Sequence, residues 1–370
     1  MTSSFGENIR LSLFGESHGK AVGCVIDSPP PGIPIDQAAL ARHMARRAPA
    51  GGGPLSTARR ETDAPEILSG LFEERTTGTP LAAVIRNADA RSGDYAKLRR
   101  APRPGHGDLT GLLRYGGAND PRGGGHFSAR VTAGLCFAGA VAMQALARLG
   151  ATVRARIVEI GGVADPADPD HAEQIPDVSH KPLAVLSDDA GSAMIAEIER
   201  TRVEGDSVGG VVEVRVAGIP AGIGAPVFDR VETKLGSMFF SLPAVRAVAF
   251  GDGFACARRR GSANNDRPVP SPDGDPSRIG RATNRAGGAE GGITTGLPII
   301  ARLAFKPTPS ISAPQTTVDP ETNREVPLSV PGRHDPCVVP RAVPLVESAA
   351  AFAVWDLVLS ARAKESGAGR

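Results

Sequence analysis

Apolar residues in this chain fall into short blocks separated by glycine, proline and charge, and the spacing within each block predicts its conformation. Residues 21–27, AVGCVID, form an apolar run that stops at Ser28-Pro29-Pro30-Pro31-Gly32. That pattern predicts a short buried strand. Asp36 follows, with a side-chain oxygen suited to the free amides of a starting helix. Leu40, Met44 and Arg47 then recur at helical spacing, and Ala48-Pro49-Ala50-Gly51-Gly52-Gly53 ends the helix. Residues 81–85 predict a second apolar strand, which hands Arg86, Asn87, Asp89 and Arg91 to a loop. The clearest helix covers 133–149, where Leu135, Gly139, Met143, Leu146 and Leu149 share a face and Gly150 closes the run. Its small residues Ala138, Gly139, Ala140 and Ala142 permit close packing against another helix.

Further strands are expected over 153–160, 209–216, 245–250 and 299–305, with helices over 191–201 and 345–359. The helix-then-strand order of 133–160 recurs at 191–216, a weak pseudo-repeat in element order and not in residue identity. Two stretches, 94–129 and 251–292, show little periodicity and much glycine. Loops that long are uncommon in a folded domain unless they carry function or are disordered. The tract 164–177 is rich in Asp and Pro and reads as an exposed connection. Regular strand–helix units and an opening GxGxxG are both missing, which argues against a doubly wound nucleotide fold. The fold class expected is α+β, with one catalytic domain over 1–361 and a polar tail over 362–370 that frays.

Composition narrows the picture. Aromatics are 4% of the 370 residues, so the core must rely on Val, Ile, Leu and Ala. The 45 glycines and 32 prolines imply many constrained turns. Formal net charge is +2, yet arginines cluster at 46–47, 59–60, 99–100 and 258–260. These clusters lack interleaved aromatics or a nucleic-acid motif, and a small phosphorylated ligand suits them better than a nucleic acid. The four cysteines are widely spaced with no CxxC pair, as expected of free thiols in a reducing cytoplasm. No uninterrupted apolar stretch reads as long enough for a membrane, and the N-terminus lacks a leader pattern, so the expected location is the cytoplasm.

Candidate chemistry sits in the glycine- and proline-rich segments. His18 lies in Gly15-Glu16-Ser17-His18-Gly19, His106 in Arg103-Pro104-Gly105-His106-Gly107-Asp108, His126 in Gly123-Gly124-Gly125-His126-Phe127-Ser128-Ala129-Arg130, and His334 in Gly332-Arg333-His334-Asp335-Pro336. Imidazole titrates near neutral pH and suits proton transfer. Neither HxH nor HExxH is present, so a metal site is not expected. Ser17 beside His18 lacks the GxSxG elbow of a serine hydrolase. Arg46, Arg47, Arg122, Arg130 and Arg333 suit phosphate or carboxylate binding, with surface ion pairs as the plain alternative. Lys306-Pro307-Thr308-Pro309-Ser310 offers a cation and two hydroxyls but is not a P-loop.

Taken in order, FGESHG, SPPPGI, RNADARSGDY, RPGHGD, YGGANDPRGGG, TNRAGGAEGG, KPTPSI and GRHDPCVVPRAVPLVE resemble the chorismate synthase family over nearly the whole chain. The resemblance implies a central helical layer sandwiched between antiparallel sheets, assembled as a homotetramer. It implies anti-1,4-elimination of phosphate from 5-enolpyruvylshikimate-3-phosphate to give chorismate, the last step of the shikimate pathway, with reduced FMN and no net redox change. By motif match, His18 protonates the leaving phosphate, His106 stabilises the reduced flavin, and Asp335 assists deprotonation at the flavin. Arg46, Arg47, Arg130 and Arg333 match anion-binding arginines. Ser128, Asn264, Asn265, Lys306, Thr308 and Ser310, together with Arg46, Arg130 and Arg333, match flavin-binding positions. Many relatives carry RRRPG and GGGRSSARET; here Ala48 and His126 stand in those patterns, and His126 either takes over an arginine's anion contact or packs against Phe127 with no anion role. No reductase-sized region is present, so reduced flavin is expected from an external reductase. A flavin-independent phospholyase or phosphatase, and a polyanion-binding protein, are the alternatives.

Overall fold

The structure is a computed structural model that describes residues 3–48, 62–87, 99–168, 170–271, 274–275, 279–330 and 335–368. Two five-stranded antiparallel sheets enclose a layer of helices. The first sheet runs Ser4–Phe5, Arg10–Gly15, Ala21–Asp27, Leu81–Arg86 and Pro65–Ser69 in spatial order. The second runs Val245–Phe250, Ile299–Phe305, Gly210–Ala217, Thr152–Ile160 and Val163–Ala164. The helix Thr132–Ala147 packs on the first sheet and against Val339–Ala368, which in turn packs on the second. The α+β layering expected above is therefore present.

The two central helices come into very close contact. A Cβ at Gly139 would lie 2.1 Å from the Ser348 Cβ, so only glycine permits this crossing. Both helices are buried nearly all round, which explains why their apolar residues form no single stripe. Segments Ala129–Ala147 and Val339–Ala363 are, contrary to expectation, long and apolar enough to span a membrane by length and composition. They are 83% and 94% buried inside the protein, which makes them core helices. Burial also raises the thiols of Cys24, Cys136 and Cys337, to about 11 for Cys136 and about 12 for Cys337.

Some elements differ from expectation. The helix Gln37–Arg47 has Asp36 as its cap, accepting from the Ala39 amide at 2.9 Å, as the sequence implied. The expected loop 94–129 contains a helix, Asp108–Tyr115, which ends at Gly116 in a left-handed conformation. The last helix starts at Val339, runs through Pro344 and reaches Ala368, so it takes in residues 362–368 of the expected tail. Burial between other elements outweighs the one amide that Pro344 lacks. The two halves of the pseudo-repeat take different places: Thr132–Ala147 is central, whereas Asp188–Val203 packs on Thr152–Ile160 and Val163–Ala164.

Candidate active site

Segments distant in sequence converge on a cavity of about 370 Å³. Residues 103–107, 123–130, 305–310 and 335–345 all contribute to its lining. Its lining combines apolar groups, Phe127, Pro243, Ala244, Phe305, Val338 and Leu345, with the basic side chains of Arg47, Arg103, His106, Arg130, Lys306 and Arg341 and the carboxylate of Asp335.

The turn Arg122–Phe127 shapes the wall because Gly123, Gly124 and Gly125 all have positive φ. A Cβ at Gly123 would fall 2.1 Å from the His18 ring, and one at Gly124 would fall 2.9 Å from Cε1 of His106. Two expected histidines therefore pack directly on glycine backbone. His18 is buried, with Nδ1 3.1 Å from the Ser17 hydroxyl, and lies behind Gly123. His106 reaches the cavity itself.

His106 is part of a charged cluster. Its Nδ1 is 2.7 Å from Oδ1 of Asp108 and 3.1 Å from Nη2 of Arg103. Arg103 donates to both Asp108 oxygens, at 2.7 and 2.8 Å, and to Ser310 Oγ at 2.9 Å. Nδ1 cannot accept from Arg103 and donate to Asp108 at once. The shorter, charge-assisted contact favours donation from Nδ1 to Asp108. Burial raises the Asp108 carboxyl, but hydrogen bonds from Arg103 and His106 outweigh it and hold the group well below the ordinary range.

A second carboxylate, Asp63, organises two of the arginines. It is buried and binds Arg47 and Arg130, one on each oxygen. Arg47 also donates to Thr132 Oγ1 at 3.2 Å and to the Ala129 carbonyl at 2.8 Å. Arg130 donates to Asn87 Oδ1 at 2.8 Å and to the Arg86 carbonyl at 3.0 Å. Burial again raises the carboxyl, and the two cations bring it below its usual value. Ser128 caps the turn before Arg130, accepting from its amide at 3.2 Å.

Lys306 donates to the Gly105 carbonyl, and burial, then Arg246, lower its ammonium. Thr308 Oγ1 is buried with no hydrogen-bond partner among the described residues. Asp335 pairs with Arg341 at 2.6 Å, and Arg341 donates to the Arg47 carbonyl at 2.9 Å. Apolar groups, cationic groups and an unpartnered hydroxyl in one cavity suit a flat aromatic cofactor bearing a phosphate beside an anionic substrate.

Several expected residues lie elsewhere. Arg46 does not line the cavity; it makes a bidentate pair with Glu347 at 2.6 and 3.2 Å. His126 points away from the cavity, with Nδ1 2.9 Å from the Gly15 carbonyl and Nε2 3.1 Å from Ser3 Oγ. The arginine-replacement expectation is corrected on that geometry: both ring nitrogens are engaged outside the pocket. Asn264 ends the short helix Gly261–Asn264 and Asn265 follows it; neither lines the cavity. Arg333 and His334 lie outside the described residues. Sequence reasoning missed Asp63 and the pairing of Asp108 with His106. The RPGHGD spacing was a signal for Asp108, whereas Asp63 had none.

The family model described as chorismate synthase matches residues 9–359. The chain belongs to the chorismate synthase family. A relative named chorismate synthase from Korarchaeum cryptofilum is 48% identical over 96% of this chain and 97% of its own length. One from Thermococcus kodakarensis is 46% identical over 97% and 98%. A solved structure titled as chorismate synthase superposes with a TM-score of 0.74 at 26% identity, covering 96% of this chain and 93% of that one. Family membership makes the chain a lyase of that reaction class.

Proposed function

We propose that this cavity eliminates phosphate from 5-enolpyruvylshikimate-3-phosphate to yield chorismate, with a reduced FMN held against its apolar groups. The observation that carries this reading is the convergence of segments 103–108, 122–130, 306–310 and 335–341 on one cavity. The chemistry a reduced flavin contributes is transient electron donation, returned within the turnover, so there is no net redox change.

The chain's own residues supply binding and proton handling. Arg47 and Arg130, fixed by Asp63, present cations to the phosphate and carboxylate of the substrate. His18 is assigned protonation of the leaving phosphate by its motif match alone; its ring packs against Gly123, outside the cavity lining. His106, which lines the cavity, would stabilise the reduced cofactor when it is bound. Lys306, Thr308 and Ser310 hold that cofactor, and the Thr308 hydroxyl gains a partner on binding. Asp335, paired with Arg341, would assist deprotonation at the flavin. Phe127, Phe305 and Leu345 keep water from the reacting atoms.

The chain acts in the cytoplasm as a homotetramer and takes reduced flavin from a separate reductase. The test is an anaerobic assay with chemically reduced FMN and substrate, following chorismate and phosphate together. Equal yields of both are expected. Phosphate release without flavin would point instead to a phospholyase or phosphatase. Product formation from oxidised FMN and NADPH alone would overturn the external reductase.

A further inference from the structure

We infer that Asp108 is a positioning residue that sets the tautomer of His106, with Arg103 as the brace that keeps it in place. The role of His106 in turnover rests on the function proposed above; the Asp108–His106 arrangement stands on geometry alone.

Three observations carry the inference. Asp108 Oδ1 lies 2.7 Å from His106 Nδ1, close enough for a charge-assisted hydrogen bond. The carboxylate cannot turn away, because Arg103 holds both its oxygens and the Arg103 amide donates to Oδ2 at 3.1 Å. Gly124 backs the ring so closely that even a methyl group would collide with Cε1, which blocks the ring from rotating toward that wall. Nδ1–H therefore points at Asp108 and leaves Nε2 as the nitrogen available for chemistry.

Electrostatics follow from the same contacts. The charged groups facing His106 are Asp108, Arg103 and, beyond Gly105, Lys306. Two are cations and oppose an imidazolium. Asp108 is the only anion among them, and Arg103 is already neutralised by it. Asp108 sits at the first turn of Asp108–Tyr115, where the helix amides also favour a negative charge.

The test has two arms. The first uses the wild-type chain labelled with ¹⁵N-histidine, with the His106 signals assigned by their loss in His106→Gln. The neutral ring should show the Nδ1–H form; an Nε2–H form would overturn the inference whatever the enzyme's activity. The second compares wild type with Asp108→Asn in single turnover across pH 5.5–9 with reduced FMN. The variant should lower kcat by about 10²-fold, the lower end for a positioned proton group, with KM changed less than threefold. A kcat within about threefold of wild type, or a rise in KM as large as the fall in kcat, would mean that Asp108 only supports the loop and would also overturn the inference. If neither protein forms chorismate, the proposed function fails, while the tautomer arm still decides the arrangement.

Discussion

His43 and His106 occupy two similar clusters with opposite fates. Each lies near a carboxylate that an arginine grips with two hydrogen bonds: Glu347 with Arg46, and Asp108 with Arg103. His43 is buried between helices, with Nε2 2.8 Å from Ser348 Oγ and Nδ1 3.8 Å from Glu347. Serine, histidine and glutamate there imitate a hydrolytic triad, yet no described cavity reaches them. His106 has its carboxylate 1.1 Å closer and one face on the cavity. Similar side chains thus lie sealed in the core in one place and at a cavity in the other. Distance to the carboxylate and access to a ligand separate the two, and neither is visible in the side-chain inventory.

The sharpest way to break this comparison is His106→Ala. Turnover should fall by about 10²- to 10⁴-fold with little change in substrate affinity or unfolding midpoint. Single-turnover kinetics and substrate titration, done separately, would check it; a wild-type chemical rate would make His106 no different from His43. Glu347→Ala is the matching change in the core. It strands Arg46 and removes the acceptor for the Ala155 amide, which Glu347 Oε1 binds at 3.0 Å. A loss of about 3 kcal/mol in urea unfolding is expected, the lower end for a broken buried pair, because Arg46 keeps some contact with water. A loss below about 1 kcal/mol would show the pair to be incidental.

The smallest effect concerns pH. Burial, helped by Arg46 and opposed by Glu347, lowers His43 from its ordinary 6.5. The folded chain therefore keeps His43 neutral while the unfolded chain takes up a proton near that pH. Stability from this source is complete above 6.5 and is lost as pH falls below it, by no more than about 1.4 kcal/mol over the first unit. His43→Gln cannot titrate, so its urea midpoint should fall less between pH 7.5 and 5.5. Parallel falls in the two proteins would show that His43 does not contribute to the acid sensitivity.

Much of the fold was legible where local pattern and tertiary demand agree. The strands Ala21–Asp27, Val245–Phe250 and Ile299–Phe305 and the Asp36 cap match expectation residue for residue. The helix Asp108–Tyr115 was hidden by the glycines around and within it. Of the site, His106, Arg47, Arg130, Ser128, Lys306, Thr308, Ser310 and Asp335 line the cavity. Arg46 and His126 were equally plausible from their motifs, yet each found a partner outside the cavity.

What the sequence by itself determined is the set of short-range events: apolar runs that must be buried, turns that require glycine, and a family signature strong enough to name the reaction. What only the tertiary structure decided is which charges meet. Asp63 is separated by 67 residues from Arg130, and Arg103 by 207 from Ser310, so no local spacing records either contact. An ion pair in a protein interior stabilises or activates according to distance and desolvation, and both quantities exist only once the layers have packed.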